Sequence, residues 1–544
     1  MTALNFLIDM KKLFALIILT SILVGCVPSN QTTLQTTPQS DSAQSADSAP
    51  ETGSTQWWHE AVFYEIFVRS FNDSNGDGIG DFNGIVQKLD YLQELGVNAI
   101  WLMPIQPSPS YHGYDVLNYY EVNPEYGTMD DFKSLLEEAH QRDMKIIIDL
   151  VLNHTSSQHP FFVDANSAPN SKYRDWYVWS NDPGDHWHQG NGGYYYGLFW
   201  DGMPDLNYRN QEVTDEMFNA TKYWLEDIGI DGFRIDAAKH LIEEGAKLEN
   251  TEATHEWFKG FYTFYKSIDS NAYTVGEVFG AGAFLATTYT GQMDQIFNFE
   301  LASGIVNSVN GESNSGIYSA WTFTLNEITN GDYATFLTNH DQNRVMSVLS
   351  GREEKAKLAA IMLLTAPGTP FIYYGEEIGM QGKKPDEDIR LPMQWNADIN
   401  AGFTTGTPWR APDANYTQVN VATQNDDPNS LLNLYRTLTK LRVDHPILRN
   451  GSVSVLETGN TGVYAILRSG ADENILVLIN LKGTPISDYA LDLKEKILRD
   501  GPLSPVSLLD STSATPLAIN DGIFTEYKPV PELTSYQAFI FQLK

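Results

Sequence analysis

Cysteine is almost absent: Cys26 is the one cysteine in 544 residues, so no intramolecular disulfide and no cysteine-rich zinc site can form. Positive charge is scarce as well, with 35 Lys and Arg against 69 Asp and Glu, a net charge of −34. A surface that acidic repels phosphate backbones and anionic lipid heads, which argues against nucleic acid as a partner and leaves neutral or cationic ligands open. The apolar run from Leu13 to Val24 is too short to span a bilayer as a stable helix. What is abundant is apolar and aromatic: 42% hydrophobic and 12% Phe, Trp and Tyr, with only 19% charged, which excludes wholesale disorder and a coiled coil. A chain of this length buries a large core, and a β/α barrel absorbs 250 or more residues as one domain.

The first 55 residues stand apart. Met10-Lys11-Lys12 opens the apolar run, which closes on Leu23-Val24-Gly25-Cys26, so residues 1–26 read as a secretory signal. Leu-Val-Gly-Cys resembles a bacterial lipobox, which implies lipidation of Cys26, export, and a protein anchored at the bacterial cell envelope outside the cytoplasm. A plain signal peptide with an incidental cysteine is the alternative. Residues 27–55 are mostly Ser, Thr, Gln, Ala, Pro and Asp, with almost no large apolar residue, and cannot bury enough surface to order themselves; they read as a tether.

Downstream, strand-length apolar runs recur at Ala61–Phe71, Val97–Ile105, Lys145–Leu152, Ile230–Asp236, Ala272–Val278, Gln295–Leu301, Tyr333–Leu337 and Pro370–Tyr374. Helical periods lie between several of them, as in Ile85, Leu89, Leu92, Leu95 and in Phe132, Leu135, Leu136, Ala139. Strand and helix alternating eight times predict an α/β fold, a (β/α)8 TIM barrel, over residues 56–152 and 208–445. Residues 153–207, rich in Trp, Tyr, Gly and Asp and without a helical period, predict an inserted loop-rich subdomain after strand three. Residues 446–544 predict a C-terminal antiparallel β-sandwich.

Chemistry in such a barrel sits at the C-terminal ends of its strands. Acidic residues collect there: Asp149, Asn153 and His154 after strand three, Arg234 and Asp236 in strand four, Glu277 after strand five, and His340-Asp341 after strand seven. Three carboxylates, Asp236, Glu277 and Asp341, thus converge on one rim. A pair of them about 5 Å apart suits retaining glycoside hydrolysis. Singly, each could be a helix N-cap or half of a structural ion pair such as Arg234–Asp236.

Asp149–His154, Gly232–His240, Gly276-Glu277-Val278 and Phe336–Asp341 resemble the four signature segments of glycoside hydrolase family 13, the alpha-amylase family, in the family's order. The resemblance covers Trp57 to the C-terminus. It implies Asp236 as nucleophile, Glu277 as general acid/base, and Asp341 as the carboxylate that orients the sugar hydroxyls. It also implies that Arg234 keeps Asp236 ionised, while a less compensated site keeps Glu277 protonated. His154 and His340 would hydrogen-bond the sugar, and Tyr114 would stack on it. After the nucleophile, Ala237-Ala238-Lys239-His240 resembles the α-1,4-cutting members, with Lys239 reaching a plus-side sugar. Met203-Pro204-Asp205-Leu206-Asn207 resembles members intermediate between oligo-1,6-glucosidases and neopullulanases.

Asp73-Ser-Asn75-Gly-Asp77-Gly-Ile79-Gly-Asp81 spaces oxygen donors as an EF-hand loop does: the side chains of Asp73, Asn75, Asp77 and Asp81 and the carbonyl of Ile79. Gly84 stands where the bidentate glutamate would be and no helix pattern precedes Asp73, so the expectation is a calcium loop outside the EF-hand class. The resemblance implies a second Ca2+ held by Asn153, Asp205 and the carbonyl of His240. The insert's aromatics, Trp176, Tyr177, Trp179, Trp187, Tyr194–Tyr196 and Trp200, could line a sugar cleft or build the insert's own core.

The resulting expectation is a monomeric, lipid-anchored, retaining endo-acting alpha-amylase on starch, glycogen or maltooligosaccharides. Alternatives are a cyclomaltodextrinase or neopullulanase, an oligo-1,6- or α-glucosidase, and a non-catalytic glucan-binding lipoprotein.

Overall fold

The computed structural model describes residues 56–280, 287–328 and 332–544; residues 1–55, where the sequence leads one to expect a signal peptide, a lipidated Cys26 and a tether, lie outside the described residues. The barrel is built from β1 (Phe63–Ile66), β2 (Ala99–Leu102) and β3 (Lys145–Leu150). An insertion follows that carries β4 (Trp179–Ser180), β5 (Trp187–Gly190) and β6 (Gly193–Tyr196). The barrel then resumes with β7 (Gly232–Ile235), β8 (Tyr273–Gly276), β9 (Gln295–Phe297), β10 (Tyr333–Thr335) and β11 (Thr369–Tyr373). These eight barrel strands close in the order β1-β11-β10-β9-β8-β7-β3-β2, all parallel, as the alternating runs predict. Most strands are shorter than their apolar runs because the residues flanking them are buried without joining the ladder.

Side chains alternate faces along each strand, and both faces of this sheet are covered. Phe63, Ile147, Tyr273, Val275, Phe297 and Phe371 fill the lower lumen above Trp58, while Tyr64, Ile66, Ile146, Ile148, Phe233 and Ile235 pack outward under the helices. Two residues further along the inward face, phase alone turns Glu65, Asp149 and Arg234 into the lumen near its upper end. The apolar layer is thus followed by a charged one. Two of the surrounding helices begin at threonine caps: Thr128 and Asp131 form a capping box on Met129–His140, and Thr251 accepts from Thr254 N at the start of Glu252–Ile268.

The insert departs from expectation in one respect: it contains a helix, Pro160–Ala165, too short for its six residues to show a period. Phe162, Tyr177 and Tyr195 pack beside a small sheet of order β4-β6-β5. A one-turn helix, Val68–Phe71, likewise precedes Asp73, where the sequence shows no helical pattern.

Beyond the helix Leu431–Asp444 come β12 (Ser452–Val455), β13 (Val463–Ser469), β14 (Asn474–Asn480), β15 (Leu491–Leu493), β16 (Gly501–Leu503), β17 (Pro505–Ser507), β18 (Leu517–Ile519), β19 (Phe524–Tyr527) and β20 (Ala538–Leu543). An antiparallel sheet of order β12-β13-β14-β20-β17 faces the pairs β15-β19 and β16-β18. β13 is buried on both faces: Val463, Ala465 and Leu467 enter the C-terminal core, whereas Tyr464 and Ile466 join the barrel's core. On the barrel side Arg468 donates to Thr365 O and Leu448 O, both at 2.7 Å, and Arg442 donates to Leu364 O, Ala366 O and Gly368 O. Two fully buried guanidinium groups therefore hold the C-terminal end of the helix Glu353–Thr365, Arg468 from the sheet and Arg442 from the helix Leu431–Asp444, where partial negative charge on the free carbonyls compensates them.

Candidate active site

Asp149 on β3 and Arg234 on β7 are partners in the parallel ladder, so both side chains enter the lumen at one level. Arg234, 1% exposed, donates through Nη1 to Asp149 Oδ1 and to Asp236 Oδ1 and through Nη2 to Glu277 Oε2, each at 2.6 Å. One guanidinium gathers three carboxylates, from β3 and from the ends of β7 and β8. Trp101 Nε1 fixes the other oxygen of Asp149 at 2.9 Å. Ala237, at φ +47°, turns the chain sharply after Asp236 and points its amide at Glu277 Oε2, 3.2 Å away.

The third predicted carboxylate, Asp341, is held from two sides: Arg390 Nη2 donates to Oδ1 at 2.9 Å, and His340 Nε2 lies 3.2 Å from Oδ2. His340 is fully buried, with Nδ1 2.5 Å from Glu65 Oε1 and Nε2 2.6 Å from the Tyr114 hydroxyl.

Burial raises Asp149 to about 7 against the pull of Arg234. Burial likewise raises Asp236, with Arg234 opposing it, so the guanidinium tempers this shift without reversing it. For Glu277 the expectation of a less compensated site is corrected, since its contact with Arg234 is as short as that of Asp236. What keeps its carboxyl high is burial, reinforced by the charges of Asp236 and Asp341. At Asp341, whose side chain is 43% exposed, partial desolvation is overcome by His340 and Arg390, which hold the carboxyl well below the usual carboxylate range. His340 is pushed the other way, to about 10, as Asp341 and Glu65 outweigh its burial.

Above this charged layer opens a cavity of about 400 Å³ lined by Tyr114, His154, Asp236, Lys239, His240, Glu277 and Asp341. Arg234 and His340 lie beneath its floor. Lys239 Nζ pairs with Glu249 at 2.5 Å, and His154 Nε2 meets Tyr114 O at 3.2 Å. Burial lowers His154 to about 4, leaving it neutral. Phe199, Trp200 and Phe279 line the same cavity and stay about half exposed, at 49%, 48% and 55%. Of the insert's aromatics, Trp176, Tyr177, Tyr195 and Tyr196 are buried, whereas Trp200 faces the cleft. Sequence reasoning did not select Glu65, Asp149 or Arg390 as site residues. A single carboxylate inside an apolar strand, as in Phe63-Tyr64-Glu65-Ile66, is the signal that finds the first.

The metal candidates are dispersed outside this cluster. In the loop after β1, Asp73 Oδ1 accepts from Asn75 N (3.0 Å) and Gly76 N (2.7 Å), and Asp77 Oδ1 accepts from Ile79 N (2.9 Å). Asp81 caps the helix Phe82–Val86 through Gly84 N and accepts from Ser74 N at 2.9 Å. The donors are the hard oxygens that calcium takes, although among the described residues no three His, Cys, Asp or Glu side chains are grouped as a metal cage. Between β3 and the insert, Asn153 Oδ1 is buried without a hydrogen-bond partner. Asp205 beside it is bonded by neutral donors, Leu198 N and Asn153 Nδ2, and burial together with the charge of Glu243 pushes its carboxyl well above the usual range. An orphaned acceptor next to an uncompensated carboxylate fits a cation. The His240 ring is engaged elsewhere, with Nδ1 3.3 Å from Leu248 O.

Comparison with known proteins gives the alpha-amylase catalytic domain as the matching family, over residues 65–451. Alpha-amylase 3 of Dictyoglomus thermophilum is 45% identical over 451 residues, 81% of this chain and 88% of that protein. The oligo-1,6-glucosidase of Halalkalibacterium halodurans is 34% identical over 521 residues, 80% of this chain and 92% of that one. Among solved structures, the alpha-amylase from H. orenii superposes with a TM-score of 0.78 at 37% identity, covering 89% of this chain and 99% of its own.

Proposed function

The chain belongs to the alpha-amylase family, glycoside hydrolase family 13, and from that membership we propose that it is a retaining, endo-acting alpha-amylase cutting α-1,4 bonds in starch, glycogen and maltooligosaccharides. The observation that carries the reading is the single guanidinium of Arg234 bridging Asp236 and Glu277 at 2.6 Å each beneath an open cavity. That bridge favours the close carboxylate spacing used for direct attack over the wider one that holds a water between the pair.

In this reading a carboxylate oxygen of Asp236 attacks the anomeric carbon while Glu277 gives its proton to the departing glycosidic oxygen. Glu277, now ionised, takes a proton from water as that water displaces Asp236, and the configuration is retained. Asp341, supported from below by His340, holds the sugar hydroxyls, Tyr114 packs against the ring, and Lys239 with Trp200 and Phe279 meets the departing side. The 45% identity to an alpha-amylase supports the α-1,4 assignment. The 34% identity to an oligo-1,6-glucosidase keeps α-1,6 cleavage as the second reading.

Calcium is part of the proposal, with Asp73, Asn75, Asp77, Ile79 O and Asp81 as one oxygen set and Asn153, Asp205 and His240 O as the other. The ion would fix loops beside the cleft and takes no part in bond cleavage. The protein is further proposed to be exported, monomeric, and held at the bacterial envelope by a lipid on Cys26; among the described residues no helix is long and apolar enough to cross a membrane.

The test is product analysis over time from amylose, β-cyclodextrin, pullulan and isomaltose. Rapid shortening of amylose to mixed maltooligosaccharides with isomaltose untouched supports the proposal. Faster cyclodextrin or isomaltose cleavage replaces it with the neopullulanase or glucosidase reading, and binding without turnover makes the protein a glucan receptor.

A further inference from the structure

His340 is enclosed by oxygen atoms, two of them from carboxylates. Nδ1 lies 2.5 Å from Glu65 Oε1, and Nε2 lies 2.6 Å from the Tyr114 hydroxyl and 3.2 Å from Asp341 Oδ2. The ring is fully buried, Glu65 is 2% exposed, and Trp101 stands edge-on to the ring at 5.5 Å. A neutral imidazole has one N–H and one lone pair, so it satisfies one of the two carboxylates and turns a lone pair on the other. With the ring and Glu65 both buried and only Asp341 open to the cavity, that mismatch is costly, and the imidazolium, which donates from both nitrogens, removes it. The Tyr114 hydroxyl then has somewhere to donate: Asp149 Oδ2, 3.4 Å away.

We propose that Glu65 is a positioning residue, whose carboxylate accepts from Nδ1 and so holds His340 as the imidazolium that donates through Nε2 toward Asp341, the carboxylate that faces the bound sugar. The inference rests on the proposed reading that Asp341 grips the substrate, and it assigns the work of an otherwise unexplained carboxylate in the barrel lumen. Glu65 itself lies below the cavity and acts through His340. The other groups facing the ring are Asp149 from β3, Asp236 and Arg234 from β7, and Arg390 from beyond β11, whose Nε donates to His340 O at 2.9 Å. Both arginines favour loss of the histidine proton, so the carboxylates must outweigh them. The elevated titration of His340 agrees with this balance.

Glu65→Gln retains an oxygen acceptor for Nδ1 and removes the charge. The full chain is prepared with histidines labelled at the ring carbons, and the His340 signal is identified by its loss in His340→Asn. In the wild type that signal stays in the charged form at pH 8, and in Glu65→Gln it becomes neutral there. In parallel, kcat on maltooligosaccharides at alkaline pH falls about tenfold or more, recovers toward acid pH, and changes more than KM. A wild-type His340 that is neutral at pH 8 overturns the proposal, and so does a Glu65→Gln variant with an unchanged titration and an unchanged pH profile. If the variant does not fold, the wild-type titration decides alone. Because that titration needs no substrate, a charged His340 in a protein that hydrolyses no glucan would sink the functional reading and leave this placement standing.

Discussion

Arg234 Nη1 stands 2.6 Å from Asp236 Oδ1, with the same nitrogen equally close to Asp149. Removing this guanidinium leaves three carboxylates facing one another in a buried layer. Arg234→Leu is expected to lose about 3–5 kcal/mol of stability, with kcat falling by at least the factor expected for a misplaced nucleophile, about 10². Thermal unfolding and steady-state kinetics on the purified protein check both. A variant with native melting and native kcat would remove Arg234 from its organising place.

Glu277→Gln keeps the side chain's shape and the Arg234 contact but has no proton to give. On maltooligosaccharides kcat is expected to drop by about 10²–10⁴. On an aryl glycoside whose leaving group departs without protonation, the first step should be nearly unaffected, producing a burst of the aryl product. Equal losses on both substrates would mean that Glu277 does not protonate the leaving oxygen.

The pH profile should be a bell set by the coupled pair. Asp236 must be ionised and Glu277 protonated, and burial raises both. Falling pH therefore removes activity as Asp236 takes a proton, at a midpoint above the ordinary aspartate value of about 3.9, and rising pH removes it as Glu277 loses one. Asp341, held low by His340 and Arg390, stays ionised throughout and adds no limb. Measuring kcat/KM from pH 3 to 10 tests this, since Glu277→Gln should abolish the basic limb and leave the acidic one.

Calcium removal should lower the melting temperature. A cation present at 100 times its Kd adds about 2.7 kcal/mol to the folded state. Binding at Asp205, whose carboxyl is raised, should release a proton, so the calcium effect should weaken as pH falls. Atomic emission on dialysed protein, with melting in chelator and in added calcium, tests this for the wild type, Asp77→Ala and Asp205→Asn. Metal-free protein whose melting ignores both additions would eliminate the two sites.

Arg442→Met should destabilise the packing of the helix Leu431–Asp444 against the end of the helix Glu353–Thr365. The buried carbonyls of Leu364, Ala366 and Gly368 would each lose a donor, at roughly 1–3 kcal/mol per group before relaxation. Denaturant unfolding should show a lower midpoint with kcat little changed, because the site lies at the other end of the lumen from these contacts. A neutral outcome would mean that relief of the buried charge offsets the lost bonds.

Much of this arrangement can be read from local pattern, because a strand's period of two and a helix's period of 3.6 leave their mark within a few residues. The eight strands, the carboxylates Asp236, Glu277 and Asp341 at their ends, and Tyr114, His154 and Lys239 around the cavity all follow from runs and motifs contiguous in the chain. The short helix Pro160–Ala165 does not, since six residues hold too little periodicity to register.

What only the tertiary structure decided is which charges meet. Glu65 and His340 are 275 positions apart, and Arg390 and Asp341 are 49 apart; neither pairing leaves a trace in spacing, because barrel closure brings β1 beside β11 and the loops above them together. Closure also placed Glu277 on the guanidinium that the sequence reserved for Asp236, and sorted the insert's aromatics into a buried core and an exposed Trp200 at the cleft. Local sequence sets the face a side chain takes, while its partner and its proton depend on burial and on charges from distant strands, which exist only once the ring is closed.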